Sequence, residues 1–253
     1  MAKIIVFDSG IGSLSIIQAI QKVIKSHIIY YADQKNFPYG KKSKSQLTKI
    51  ITKTINFLDE QFKPDLIVIG SNTPSLLVKI NKKNLVKVLP PIKNASKISI
   101  TGNVAILATR ATIQSKKLSE YLRKCKLPKH VKVKKIDVSR LIDLVEHTKF
   151  ISDQKLCERI IKKILSKPFS KFNIDVATLS STHLPFLLPL LKKQFPNITF
   201  LDPAEEVARK VKRIMIKKQS KINRLKIFTS SDPKRFEDDL LRLRIKKSVS
   251  LLR

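Results

Sequence analysis

Two serines in this chain stand in nearly the same setting. Ser71 ends the strand-like run of "DLIVIGSNTP" (65 to 74) and Ser181 ends that of "DVATLSSTHLP" (175 to 185). In both copies an aspartate opens the run (Asp65, Asp175) and a hydroxyl closes it. A polar pair and an early proline then start a helix: Asn72, Thr73 and Pro74 in the first copy, Thr182, His183 and Pro185 in the second. Helix starts carry free N–H groups, so such a turn suits an anion such as a carboxylate. Taken singly, each serine is more simply a helix N-cap, and proline in a first turn is ordinary. The duplication argues for more, because open α/β sheets bind ligands beyond the carboxyl ends of their strands. Two equivalent strand ends in two similar half-chains are expected to face one another across a cleft.

Two further turns have the same character. "KIIVFDSGIGSLSII" (3 to 17) runs from an apolar strand into Asp8, Ser9 and Gly10, and spends two of the chain's five glycines there. Glycine at such a point marks a tight turn or close backbone approach. The third glycine of a dinucleotide-binding fingerprint is absent, so that chemistry is excluded. "NFPYGKKS" (36 to 43) places Tyr39 and Gly40 in an aromatic turn after the second strand.

The elements that must position these residues alternate in type. Strands are expected at 3–7, 27–33, 65–70, 103–109, 131–137, 175–180 and 198–202, with a weaker one at 225–230. Amphipathic stretches at 13–24, 43–62, 112–125, 152–167 and 203–220 have apolar spacing near the helical period. Strands alternating with helices predict parallel sheets covered on both faces, an α/β fold.

Bulk composition narrows the function. The chain has 253 residues, enough for one large or two modest domains. No apolar run is long enough to cross a bilayer, and the first strand begins almost at once, so a cytoplasmic location is expected. Cys125 and Cys157 have neither CxxC spacing nor neighbouring histidines, so they read as partly buried thiols and not as a disulfide framework or metal site. With 52 basic against 19 acidic residues the formal net charge is +33, which implies attraction to polyanions. The stretch 209–226 is locally dense in lysine and arginine. No zinc-finger spacing or RNA-binding signature accompanies it, and a solvated lysine-rich surface explains the charge as well as nucleic-acid binding does.

As a set, Asp8-Ser9-Gly10, Pro38-Tyr39-Gly40, Asn72-Thr73, "ATRATIQS" (108 to 115) and Thr182-His183 resemble glutamate racemase, of the cofactor-independent aspartate/glutamate racemase superfamily. "LVE" (144 to 146) and "IFTSSD" (227 to 232) sit where similar family segments would. The resemblance spans nearly the whole chain. It implies two pseudo-symmetric parallel-sheet α/β domains with the active site in the cleft between them, the first formed by 1–97 plus 206–253 and the second by 98–205. It further implies a cytoplasmic isomerase that interconverts L- and D-glutamate, a peptidoglycan precursor, by two-base proton transfer without pyridoxal or metal. Asp8 would assist on one face of the substrate, Glu146 and His183 on the other. Ser9, Tyr39, Gly40, Asn72, Thr73 and Thr182 would hold a small acidic amino acid, glutamate or aspartate. A homodimer is allowed.

The sequence departs from that pattern at the decisive positions. The family places a cysteine before Asn-Thr and another before Thr-His, whereas this chain has Ser71 and Ser181. A thiol has a reference pKa near 8.5, lowered at a helix N-terminus, and so yields a usable base near neutral pH. A serine hydroxyl does not, without a strong base beside it. "KVLPPIKNAS" (87 to 96) is a second departure, standing where a glycine-containing linker is expected. Three explanations stay open: a chain altered deliberately to trap substrate, a homologue that binds without racemising, and an enzyme with different chemistry. Racemisation by this chain is expected to be impaired or lost. The alternative is a non-catalytic binding protein, for an acidic amino acid or, through its basic surface, for nucleic acid. Plainer roles also remain: Glu146 and His147 as exposed helix residues, His183 as a satisfied core histidine, and Tyr39 as packing alone.

Overall fold

The computed structural model describes residues 2–253. The chain divides into two compact units, 1–88 with 204–253, and 89–203.

In the first unit β1 (Lys3–Asp8), α1 (Leu14–Val23), β2 (His27–Ala32), α2 (Lys44–Phe62), β3 (Leu66–Ile69), α3 (Asn72–Leu77) and β4 (Leu85–Lys87) follow in order. The second unit holds α4 (Ile92–Ile98), β5 (Asn103–Ala108), α5 (Arg110–Ile113), α6 (Lys116–Cys125), β6 (Lys132–Asp137), α7 (Ser139–Glu146), α8 (Lys149–Ser152), α9 (Gln154–Lys171), β7 (Val176–Leu179), α10 (Leu188–Gln194) and β8 (Thr199–Leu201). The chain then returns to the first unit as α11 (Ala204–Met215), β9 (Arg224–Thr229), α12 (Pro233–Arg242) and β10 (Val249–Leu251). Every strand pairing is parallel. The sheet orders are β10-β9-β2-β1-β3-β4 and β6-β5-β7-β8.

The shared part of these orders, 2-1-3-4 against 6-5-7-8, is the duplication seen in the sequence. Chain direction reverses across the sheet at β1/β3 in one unit and at β5/β7 in the other, so the loops leaving those strands diverge and open a crevice at the carboxyl edge. The backbone repeats as well. Gly70 N donates to Phe7 O at 2.8 Å and Ser180 N donates to Leu107 O at 2.9 Å, extending each central pairing by one residue. Apolar packing drives both units. In α2, Leu47, Ile51, Ile55 and Leu58 recur at helical spacing and are buried against the sheet, each contributing about 2 kcal/mol relative to exposure. A reciprocal capping box between Ser43 and Gln46 fixes where that helix begins.

The first unit's leading segment ends at Val88, Pro90 and Pro91 follow it in the second unit, and α4 packs against β5, β7 and α6. The expected helix 112–125 is two helices, because Ser115 accepts from Leu118 N and starts a new one. Among the described residues no helix is long and apolar enough to cross a membrane.

The duplicated aspartates belong to the opposite edge from the serines, and they are structural. Asp65 accepts from Lys3 N at 2.9 Å and Lys218 Nζ at 2.7 Å. Asp175 accepts from Ser99 Oγ and Ile100 N at 2.6 Å, Thr101 Oγ1 at 2.9 Å and Thr101 N at 3.0 Å. Burial alone would raise the Asp175 carboxyl, but these bonds hold it below its ordinary value. Its contribution is therefore present above the unfolded value near pH 4 and is lost as pH falls through the lowered native one. Asp175→Ala is expected to cost about 2 kcal/mol at pH 7. Urea denaturation across pH should show that difference shrinking below about pH 4.

Candidate functional site

Unit 1 gathers seven of the expected residues at the carboxyl edge of its sheet. Asp8 ends β1 and is buried, as is Ser9, whose N–H donates to Asp8 Oδ1 at 2.7 Å. Ser71 precedes α3 in extended conformation, and its hydroxyl does not cap that helix. The simple N-cap role is thus set aside for Ser71. Asn72 and Thr73 open α3 and are buried. The Asn72 amide has both its nitrogen and its oxygen shielded from solvent with no hydrogen-bond partner among the described residues. A buried amide left this way costs free energy, so it calls for an explanation beyond folding.

Tyr39 and Gly40 lie in a short 3₁₀ turn (Tyr39–Lys41) that packs beside α3. The Tyr39 hydroxyl does more than pack, donating to Asp33 Oδ2 at 2.8 Å. Burial first, then the Asp33 carboxylate, push that phenol well above its ordinary value, so it stays protonated. Asp33 is itself buried and also accepts from Asn36 Nδ2 at 2.9 Å and 3.0 Å. Ser230, at the end of β9, approaches Asp33 Oδ1 at 3.4 Å. Sequence reasoning missed Asp33 as an organiser of this turn, reading it only as the end of a strand. Ser13 is a second omission, fully buried and bonded to both Asp8 and the Gly70 carbonyl.

Unit 2 places Ser181, Thr182 and His183 together after β7, with Glu146 arriving from the end of α7. All three loop residues are buried. His183 N donates weakly to Ser181 Oγ at 3.5 Å. The Glu146 side chain is 8% exposed, so it is not a surface helix residue, whereas neighbouring His147 is exposed. Glu146 Oε1 lies 3.8 Å from His183 Nε2, too far for a hydrogen bond, and Nε2 has no hydrogen-bond partner among the described residues. Burial lowers the His183 pKa to about 4, so near neutral pH the ring is uncharged and the contact is not an ion pair. A neutral, buried imidazole can donate a hydrogen bond from one ring nitrogen and accept one at the other, which suits it to orient a ligand or a proton-bearing group. It is not a satisfied core histidine.

Cys125 and Cys157 are both buried and unbridged, and burial raises the Cys157 thiol further. Among the described residues no cluster of His, Cys, Asp and Glu could hold a metal ion.

Polar residues collected at the switch point of each parallel sheet define a protein of two open α/β units, of the kind that takes small ligands at strand carboxyl ends. The chain is 30% identical over 219 residues to the glutamate racemase of Actinobacillus pleuropneumoniae serotype 3, covering 84% of this chain and 81% of that protein. Among solved structures it is similar to a glutamate racemase isoform from Bacillus anthracis, with TM-score 0.87 and 26% identity over 100% of this chain and 97% of the other. The glutamate racemase of Francisella tularensis, solved in complex with D-glutamate, shares the fold with TM-score 0.84 and 24% identity over 100% and 97% of the two chains. No protein-family model matches the chain. This chain belongs to the glutamate racemase family.

Proposed function

We propose that the chain binds glutamate through the residues gathered at its sheet edges, and that Ser71 and Ser181 stand at the two proton-transfer positions, where they leave racemisation impaired or absent. In this reading Ser9, Tyr39, Gly40, Asn72, Thr73 and Thr182 hold the amino acid. Asp8 assists one proton transfer, and Glu146 with His183 assists the other. The reaction removes the α-proton to a base on one face of Cα and returns a proton from an acid on the other. It needs no cofactor when both groups titrate near neutrality. Serine supplies the shape of such a group without its acidity.

The observation that carries the reading is the pair of unpartnered buried polar groups, Asn72 and His183 Nε2, each within two residues of one of the duplicated serines. Evolution tolerates such groups where a ligand completes them. The solved Francisella tularensis relative, which holds D-glutamate, supports the same ligand class.

Binding is tested apart from turnover. L- or D-glutamate should raise the melting temperature by mass action, corresponding to about 2.7 kcal/mol at a hundredfold excess over Kd. Calorimetry that detects no acidic amino acid binding at millimolar concentration would overturn the assignment.

A further inference from the structure

We propose that Ser13 is the positioning residue for Asp8: its hydroxyl fills the space that Gly70 leaves open and tethers the Asp8 carboxylate to the end of β3. What Asp8 does rests on the functional reading above; how it is held rests on geometry alone.

Ser13 stands at the N-cap of α1, yet its side chain makes no cap hydrogen bond. Its Oγ lies 3.1 Å from Asp8 Oδ2 and 2.8 Å from Gly70 O. A Cβ placed on Gly70 would come within 1.9 Å of Ser13 Oγ and 2.7 Å of Ser13 Cβ. The two positions therefore share one volume, and glycine at 70 is what admits the hydroxyl. That volume lies directly before Ser71, so the residue that holds Asp8 also abuts the backbone carrying the first duplicated serine.

A hydroxyl has one proton and two acceptor lone pairs, which gives Ser13 a partner role for both forms of Asp8. With the carboxylate ionised, the Ser13 proton is shared between Asp8 Oδ2 and Gly70 O. With the carboxyl protonated, Oδ2–H donates to Ser13 Oγ and the Ser13 proton goes wholly to Gly70 O. Asp8 Oδ1 is held independently by Ser9 N at 2.7 Å. The carboxyl group thus keeps one place while its proton comes and goes, as a group assisting proton transfer requires. Two phenols feel the Asp8 carboxylate, Tyr30 from β2 and Tyr39 from the turn that follows it. Tyr30 donates to Gly10 O, and burial first, then nearby carboxylates, raise both phenols well above their ordinary range. Neither adds a negative charge near neutral pH.

The Ser13→Gly/Gly70→Ala pair refills most of the shared volume with a methyl group, which also meets Phe7 O at 3.1 Å, and removes the Ser13 hydroxyl. In a Ser71→Cys/Ser181→Cys background, it should lower kcat for glutamate α-proton exchange about tenfold, the size of one hydrogen bond to a charged group. KM should change by less than about twofold, since ground-state binding is untouched. The acidic limb of the rate profile should move to higher pH, because the ionised carboxyl has lost a donor. Unchanged kcat and an unchanged profile would overturn the proposal. A second measurement needs no turnover. In thermal denaturation of the chain as it stands, Ser13→Ala and Asp8→Asn should be non-additive, and Gly70→Ala alone should lower Tm while Ser13→Gly/Gly70→Ala recovers it. Additive effects, or a harmless Gly70→Ala, would also sink it. If the cysteine-bearing background shows no exchange while the stability cycle shows coupling, the functional reading has failed and the tether stands.

Discussion

Glutamate incubated with this chain in deuterated water is expected to keep its α-proton, whereas the Ser71→Cys/Ser181→Cys chain is expected to exchange it about a thousandfold faster or more and to interconvert the enantiomers. The factor is that of a positioned general base and acid, about 10² to 10⁴ each. It follows from acidity: a thiol with a reference pKa near 8.5 is within reach of neutrality, and a place at the start of a helical turn brings it closer. The serine oxygen in the same place holds no usable negative charge. Each single change should license exchange of one enantiomer only, with Ser71→Cys and Ser181→Cys selecting opposite ones, because a lone base serves a single face of Cα. Proton NMR beside optical rotation separates the four versions. Brisk exchange by the unaltered chain would show that some other base acts, with His183 and Asp8 the first to examine. No exchange in the double variant, despite measured glutamate binding, would leave a binding protein.

Much of the frame that holds these groups is legible in the sequence, and what escaped did so for physical reasons. Strands such as β1, β3, β5 and β7 are nearly continuous apolar runs because both faces of a parallel sheet are covered, so they stand out. β4 and β10 span only Leu85–Lys87 and Val249–Leu251, too short for any period to show. α12 buries only Phe236 and Leu240, a single apolar pair that carries little periodic signal, although Asp232 and Pro233 are a fair start signature. The serines, Asn72 and His183 were visible because they repeat. Asp33 and Ser13 were not, since their meaning lies in contacts that no local pattern encodes: Asp33 reaches Ser230 across 197 positions, and Ser13 reaches Gly70 across 57. The glycine before Ser71 read only as the last residue of the strand 65–70. Only the space around it reveals that it makes room for a hydroxyl.

Asn72→Leu is expected to move stability and binding in opposite directions. The Asn72 side chain is buried, and neither end of its amide finds a hydrogen-bond partner among the described residues. Replacing it with an apolar side chain of similar volume removes that desolvation penalty, so the variant should be more stable by about 1 to 3 kcal/mol in urea unfolding without ligand. An ordinary core asparagine would behave oppositely, because its loss would orphan the groups that bonded it. If the amide is kept to receive the charged ends of an amino acid, glutamate affinity should fall about 10- to 100-fold, the range of one or two hydrogen bonds to a charged group. Calorimetry on both proteins measures the second effect and the unfolding curves the first. A variant that is less stable yet binds glutamate normally would make Asn72 a folding residue and remove the main support for a ligand at this edge of the sheet. A variant that is more stable and has lost binding would show the cost being carried in the empty protein for the sake of the occupied one, as is common where activity and stability compete for the same side chain.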